Sequence, residues 1–240
     1  MKQKSIIILL AVALALVSCG HDDSNGYVIK GRVKNCGEWA NGGHIVLIMH
    51  DNGKRITDTA QVIKGHFTLT GHIDNPDFAG LTAVQSDKVR PKGRILFFLE
   101  NQKYSIKIKD GIISGHALTG GRGNELFKEM NEFQSKLDKK YSIESIDRQL
   151  QTTSTPAYRM EQLRIVRHEY DSVVKAYTDS IILANTPSYF SLYMTAQEIA
   201  NGGNPDSIRQ VLDIYLKDSR YKDDPRLENM IETLDEKRRP

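Results

Sequence analysis

Cysteine is scarce in this chain of 240 residues, which has two, Cys19 and Cys36. No Cys-x-x-Cys pair exists, so the chain alone lacks the paired thiols that dithiol redox chemistry requires. The Gly-x-Ser-x-Gly and His-Glu-x-x-His signatures of hydrolases and zinc proteases are absent too. We therefore expect a protein that is not an enzyme and that needs no cofactor and no metal.

An excess of charge of one sign is also lacking. The chain has 33 lysines and arginines against 30 aspartates and glutamates, for a net charge of +3. Its basic residues look scattered along the sequence, so we expect no nucleic-acid partner. Hydrophobic residues make up 39% and charged residues 26%, which is typical of globular proteins.

The N-terminus carries the strongest signal of location. Lys2 and Lys4 precede an apolar run at 6–17, and small Ser18 follows it. A basic start, a short apolar core and a small residue are the parts of a secretory signal. The run has twelve residues, fewer than the roughly 20 that a spanning helix needs.

The residues that end this run resemble a known processing site. Leu16-Val17-Ser18-Cys19 is similar to the lipobox of bacterial lipoproteins. The resemblance implies a signal peptide at 1–18 that is cut before Cys19, acylation of Cys19 with fatty acids such as palmitate, and a membrane partner through that lipid. An ordinary secretory signal that happens to contain a cysteine is the alternative.

Residues 19–26 are polar and without periodicity, so they are interpreted as a tether. The acidic pair Asp22-Asp23 resembles the surface-export signal of Bacteroidota lipoproteins, although a solvated linker explains it equally well. We expect a location in the cell envelope, anchored by lipid to the periplasmic or the surface-exposed face of the outer membrane.

The first half of the mature chain, 27–118, has the pattern of short strands. Apolar and polar residues alternate in segments such as 66–73, and turn residues separate the segments. About eight strands with short connections favour an antiparallel sandwich or barrel. The predicted fold class is α+β, with an antiparallel β-sandwich of about eight strands followed by an α-helical module.

Several short segments of this half resemble the DUF4369 domain of Bacteroidota lipoproteins. They are Lys30-Gly31-Arg32-Val33, Asp58-Thr59-Ala60, the segment 65–71, Phe97-Phe98-Leu99-Glu100-Asn101 and Ile113-Ser114-Gly115. In such proteins the β domain is followed by a helical segment and then by a TlpA/ResA-like thioredoxin domain. The resemblance therefore implies a prefix and a helical segment without the thioredoxin domain.

The second half, 124–236, is predicted to be helical after a flexible glycine-rich break at 120–123. Apolar residues recur at three- and four-residue steps, as in Leu163, Val166, Tyr170 and Val173. Four dipeptides have the form of a cap followed by proline at the first helical position: Thr155-Pro156, Thr186-Pro187, Asn204-Pro205 and Asp224-Pro225.

Three groups of side chains are candidates for a site. The two histidines of each pair, His44/His50 and His66/His72, lie on the same face of a predicted strand. Solvated histidines on the strand surface are a simpler interpretation than a metal centre. Cys36 is either an exposed reactive thiol or intermolecular partner, or a small residue of a turn or of the core. The aromatic residues at 189–194 indicate either core packing or a groove.

Loss of a covering thioredoxin domain would leave an apolar surface on the helical module. We expect it to meet a protein partner or a second copy of the chain, with Tyr189, Tyr193, Tyr215 and Leu216 as its members. The predicted function is a non-enzymatic binding or scaffolding role. An accessory to a separate thioredoxin-like oxidoreductase is the alternative, and a hydrolase without a recognisable motif is the third hypothesis.

Overall fold

The computed structural model describes residues 26–51, 53–84 and 91–237. The predicted signal peptide, Cys19 and the tether up to Asn25 lie outside the described residues. Among the described helices, none is both long enough and apolar enough to cross a membrane.

The described part of the N-terminal half contains nine strands. They are β1 (Tyr27–Lys34), β2 (His44–Asp51), β3 (Lys54–Gln61), β4 (His66–Gly71), β5 (Asp77–Ala83), β6 (Lys92–Leu99), β7 (Lys103–Lys109), β8 (Ile112–Ile113) and β9 (Leu118–Thr119). Short 3-10 turns cover Gly37–Ala40 and Gly115–Ala117.

These strands form one nearly closed, barrel-like sheet. The order is β3-β2-β5-β6-β8-β7-β1-β4, with β9 added to β7. β3 and β4, at the two ends of this order, approach each other, and an isolated bridge joins Ile63, in the connection after β3, to His66 at the start of β4. The α+β class is confirmed, but the antiparallel sandwich is wrong, because β1 pairs parallel with β7 and β6 pairs parallel with β8.

Alternation along strands such as β1 and β7 separates the inside of the barrel from its outside. On β1, Tyr27, Ile29 and Val33 are buried while Lys30 and Arg32 are exposed. A sandwich and a barrel both require one buried face per strand, so this alternation does not distinguish them. Trp39 is buried in the barrel core, and the close approach of Gly43 to its indole leaves no room for a side chain there.

Six helices are described after the barrel. They are α1 (Arg122–Tyr141), α2 (Ile143–Gln151), α3 (Ala157–Ala184), α4 (Tyr189–Ala200), α5 (Pro205–Lys217) and α6 (Pro225–Lys237). α1, α2 and α3 share one apolar cluster, and α4, α5 and α6 share another.

Two of the four predicted helix starts are confirmed. Asn204 Oδ1 accepts hydrogen bonds from the backbone N–H groups of Asp206 and Ser207, at 2.9 and 3.0 Å. Asp224 Oδ1 accepts one from Arg226 N at 2.9 Å, and α6 begins at Pro225.

The other two predicted starts are wrong. The Thr155 hydroxyl donates backward to the carbonyl of Gln149 at 2.9 Å, so it does not cap α3. α4 begins after Ser188, whose hydroxyl oxygen accepts from Ser191 N at 3.1 Å, and not at Thr186-Pro187. In both places a nearby hydrogen bond replaces the expected cap.

Candidate functional site

An aromatic cluster, which we call the junction, joins the helices to the outer face of the barrel. Phe98 on β6 is fully buried although it points away from the barrel core. Its ring and that of Phe78 on β5 meet Tyr193, with centroids 5.9 and 5.1 Å from it. Phe127 on α1 and Phe190 on α4 complete the junction, 4.9 Å apart. The junction therefore fixes α1 and α4 on one patch of the sheet.

Hydrogen bonds fix the orientation of the same contact. The Asn124 side chain accepts from Phe98 N and donates to Phe98 O, each at 2.8 Å, so it pairs with the strand as a neighbouring backbone would. Glu100 Oε2 accepts from Gly123 N at 3.1 Å. Further along the chain, Arg226 donates to Pro76 O at 2.9 Å. Helices and barrel are thus joined at several points.

The predicted break at 120–123 is part of this contact. Arg122 and Gly123 belong to α1, and a Cβ atom on Gly123 would lie 2.6 Å from Phe98 Cδ1. The flexible-linker prediction was wrong here, because Gly123 belongs to α1 and its lack of a side chain allows α1 to approach the Phe98 ring closely.

A cleft between α3, α4 and α5 is the candidate site of the helical half. Its volume is about 190 Å³. α4 packs against both α3 and α5. The cleft is lined by Lys175, Asp179, Ile182, Leu183, Thr195, Glu198, Asn204, Ser207, Ile208, Gln210 and Val211.

The lysine of the cleft is paired with two carboxylates. Lys175 Nζ lies 2.9 Å from Asp179 Oδ1 and 2.9 Å from Glu198 Oε2. Burial tends to lower the pKa of Lys175, but its hydrogen bonds to Glu198 and Asp179 outweigh burial and raise that pKa. The lysine is therefore held in its charged form, which is unsuited to a nucleophile or a general base.

One apolar side chain of the cleft is conspicuously exposed. Leu183, near the end of α3, has 61% of its surface accessible. Val211 lies on the α5 side of the cleft, and Ile214, one turn later on the same face, is also exposed. The cleft thus combines an apolar wall with an ion-paired lysine.

The residues of the predicted partner surface do not form one exposed patch. Tyr215 is fully buried, so its assignment to that surface was wrong; the core of α4–α6 requires it. Tyr189 and Tyr193 are half-buried, against Tyr221 and the junction respectively. Leu216 is 40% exposed, and of the four it alone offers a largely free apolar side chain. The core-packing interpretation of the 189–194 aromatics is the one the structure favours.

The remaining sequence candidates lie apart from the cleft. Cys36 is half-buried at the end of the barrel, and its thiol donates to Lys34 O at 3.2 Å. His44, His50, His66 and His72 are exposed on the barrel surface. Within the described ranges, no group of three or more His, Cys, Asp and Glu side chains is arranged to hold a metal ion.

Sequence reasoning missed the cleft. The i,i+4 spacing of Lys175 and Asp179 was the only available signal. Glu198 comes from another helix, so its approach to Lys175 depends on tertiary packing.

Residues 27–127 match the family described as a domain of unknown function, DUF4369. The chain carries a DUF4369 domain. It comprises the barrel and the first residues of α1, including Phe127 of the junction. No curated protein and no solved structure matches the chain.

Proposed function

We propose that this chain is a lipid-anchored protein of the cell envelope with a non-enzymatic binding or scaffolding role. The cleft of α3–α5 is its contact site for a protein partner. The exposed Leu183 beside the ion-paired Lys175 is the observation that carries the proposal. The anchor rests on the lipobox-like segment Leu16–Cys19.

Binding fits the cleft better than catalysis does. A catalytic site needs a nucleophile or a proton-transfer group whose pKa is moved toward neutrality. The pKa of Lys175 is moved away from neutrality. The large pKa shifts elsewhere are those of buried tyrosines such as Tyr104 and Tyr221, and that of Asp218, whose pKa is lowered by its hydrogen bonds from Arg220. These groups stabilise the fold and lie outside the cleft.

The joining of the two halves supports a scaffolding role. Because the junction and Asn124 hold α1 and α4 on the barrel, a partner in the cleft would keep a fixed position relative to the DUF4369 domain. A bound partner would therefore be held near the membrane at a defined orientation.

The anchor is tested on the full chain expressed in a bacterium with lipoprotein processing. Mass spectrometry of the N-terminal peptide is expected to find an acylated Cys19, and Cys19→Ala is expected to abolish detergent-phase partitioning. An unmodified Cys19 in the wild-type protein refutes the anchor.

The contact site is tested by capture from native envelope with two matched variants. Leu183→Asp places a charge in the cleft, and Leu216→Asp places the same charge on an exposed leucine that does not line it. A partner held by the cleft is lost from the first variant and kept by the second. Equal capture by both variants, or a wild type without a partner, argues against the cleft.

The second candidate is an accessory to a separate thioredoxin-like oxidoreductase. It is favoured by the DUF4369 domain together with exposed apolar residues on the helical module. The captured partner would then carry a Cys-x-x-Cys pair and reduce insulin. The chain itself, with Cys36 as its one thiol after acylation, is expected to reduce insulin no faster than its Cys36→Ser variant.

A further inference from the structure

The outer face of β1, β7 and β4 is strongly basic. Outward-pointing positions on β1 carry Lys30, Arg32 and Lys34, and those on β7 carry Lys103, Lys107 and Lys109. All six side chains are exposed. We call these six residues the basic face.

The parallel register of β1 and β7 brings the six cations together. Arg32 is paired with Lys107, and Lys34 with Lys109. Neighbouring strands are about 4.8 Å apart, and side chains two residues apart on one strand are separated by about 6.6 Å. The cations thus form two adjacent rows on a single patch, which the sequence shows only as separate alternating segments.

No carboxylate interrupts the basic face on the strands that form it. The other outward positions of β1, β7 and β4 are Val28, Ser105, His66, Thr68 and Thr70. Lys109 lies 3.5 Å from Asp110 at the rim. For Lys30, Arg32, Lys34 and Lys107 no ion pair is found among the described residues.

The charge of the whole barrel has the same sign. Residues 26–119 contain 13 lysines and arginines against 8 aspartates and glutamates, a net +5. Residues 120–240 contain 18 against 20, a net −2. The near-neutral total therefore conceals two halves of opposite sign, and an anionic surface would attract the barrel while repelling the helices.

We propose that the basic face lies on a membrane surface rich in anionic phospholipid headgroups, so that the barrel rests on the lipid and the cleft faces away from it. The inference rests on the proposed lipid anchor. It adds an orientation and a lipid preference, neither of which acylation alone provides.

Covalent geometry places the basic face within reach of the membrane. Tyr27, where β1 begins, is eight positions after Cys19, and eight steps along an extended chain span at most about 29 Å. β1 itself carries three of the six cations. A lipid on Cys19 would thus hold this strand close to the headgroups, and each cation near an anionic surface adds to the attraction.

The test uses the full chain as cells process it, purified and reconstituted into vesicles. One set contains phosphatidylcholine alone, and the other contains added phosphatidylglycerol. Lysine acetylation is followed by mass spectrometry at Lys34 and Lys109 of the basic face, with Lys128 and Lys222 of the helices as internal references. We expect acetylation of Lys34 and Lys109 to be severalfold slower on the anionic vesicles.

Salt and charge variants identify the cause of that protection. Raising salt from about 0.1 M to about 1 M shortens the Debye length from about 10 Å to about 3 Å and should remove the protection. Lys30→Glu, Arg32→Glu and Lys107→Glu together should remove it as well. The matched control reverses three exposed helix lysines, Lys136→Glu, Lys139→Glu and Lys217→Glu, and should keep it.

A milder variant guards against misfolding. Lys30→Gln, Arg32→Gln and Lys107→Gln removes the charges without adding repulsion and should reduce the protection in part, with an unchanged circular dichroism spectrum. Full protection in both the Gln and the Glu variants overturns the inference.

Other outcomes also decide the matter. Equal acetylation on both vesicle types, or protection that salt leaves unchanged, overturns recognition by charge. If a soluble oligonucleotide or inorganic phosphate protects the lysines more strongly at equal ionic strength, the basic face binds a soluble anion. That result overturns the proposal that it binds a membrane.

Failure of the anchor is seen separately, in the mass of the N-terminal peptide. If Cys19 is unmodified, flotation of the same protein with the two vesicle types still measures the binding of the basic face to lipid. The protein should then bind selectively to the anionic vesicles, and the Glu variant should weaken this binding on the order of 100-fold for three charges. That result supports lipid binding by the basic face without the anchor. Absence of such binding overturns both.

Discussion

Phe78 and Phe98 stand directly opposite each other on β5 and β6, and their rings meet edge to face with centroids 5.7 Å apart. The pair points outward from the barrel, where an aromatic pair would normally meet water. α1 and α4 cover the pair, so the helical half packs on the barrel through these two rings. Aromatic pairs of this geometry contribute about 0.5–1.5 kcal/mol beyond the area they bury.

Phe98→Ala is expected to destabilise the protein by about 3–5 kcal/mol, because a fully buried ring leaves a cavity at the junction. Leu96→Ala is the control, since Leu96 shares the strand and its outward face but is 56% exposed. It should cost less than about 1 kcal/mol. Urea unfolding of both variants measures the difference, and equal effects would show that the junction contributes little.

Gly123→Ala should also destabilise the protein. Alanine favours a helix over glycine by about 1 kcal/mol, but its Cβ would lie 2.6 Å from Phe98 Cδ1, and such overpacking costs about 1–3 kcal/mol. We expect a lower thermal midpoint than for wild type. Gly115→Ala, with nothing within 4 Å of its Cβ, should leave the midpoint nearly unchanged. A more stable Gly123→Ala variant would mean that α1 does not press on Phe98.

Local features of the fold could be predicted from sequence, and features that depend on distant residues could not. The cap of Asn204 needs only its next three residues, and the alternation on β1 needs only the strand itself. Pairing of Val28 with Lys103 joins β1 to β7, two segments far apart in sequence, and no local pattern specifies it.

The same division explains the candidate sites. Lys175 and Asp179 are one helical turn apart, but Glu198 reaches them from α4. Tyr215 was expected at a surface that a missing thioredoxin domain would have covered, yet its ring is buried in the core and its hydroxyl bonds to Ser188 O. The lysines of the basic face alternate visibly within each strand, and only the parallel register makes them neighbours.

Asp224→Asn should make the stability of the protein less dependent on pH in the acidic range. Asp224 is buried, and burial tends to raise its pKa, but its two side-chain hydrogen bonds with Arg226, at 3.0 and 2.7 Å, outweigh burial and lower that pKa. A carboxyl group with a lowered folded-state pKa stabilises the fold above the unfolded pKa near 4, and this contribution is lost as pH falls through the folded pKa.

The variant keeps an oxygen to cap α6, but it replaces the acceptor of the Arg226 Nη2 hydrogen bond with an amide, so it removes the charge and that hydrogen bond together. We expect it to be about 1–2 kcal/mol less stable than wild type at pH 7, with the gap closing below about pH 4. Asp223→Asn is the control, because the neighbouring Asp223 is 87% exposed and should show no gap at either pH. Chemical denaturation at the two pH values checks both. A gap that persists in acid would assign the effect to shape and not to charge.

Tyr215→Phe should uncouple α5 from the start of α4. The Tyr215 hydroxyl donates to Ser188 O at 2.6 Å and accepts from Ser188 N at 3.1 Å. One hydroxyl thus hydrogen-bonds both backbone groups of Ser188, the residue that caps α4. Phenylalanine keeps the ring but leaves both backbone groups without this partner, at a cost of about 1–3 kcal/mol. Tyr158→Phe, in a residue 72% exposed, should change stability by less than about 0.5 kcal/mol.

Alkaline pH provides an independent check on Tyr215. Burial raises the pKa of Tyr215 to about 12, whereas a tyrosine in the unfolded chain titrates near 10. A raised folded-state pKa means that the neutral hydroxyl stabilises the fold below pH 10 and that this contribution is lost as pH rises toward 12. The stability gap between wild type and Tyr215→Phe should therefore be constant between pH 7 and 9 and should narrow above pH 10. A gap that stays constant to pH 12 would place the hydroxyl in water and contradict its role in holding Ser188.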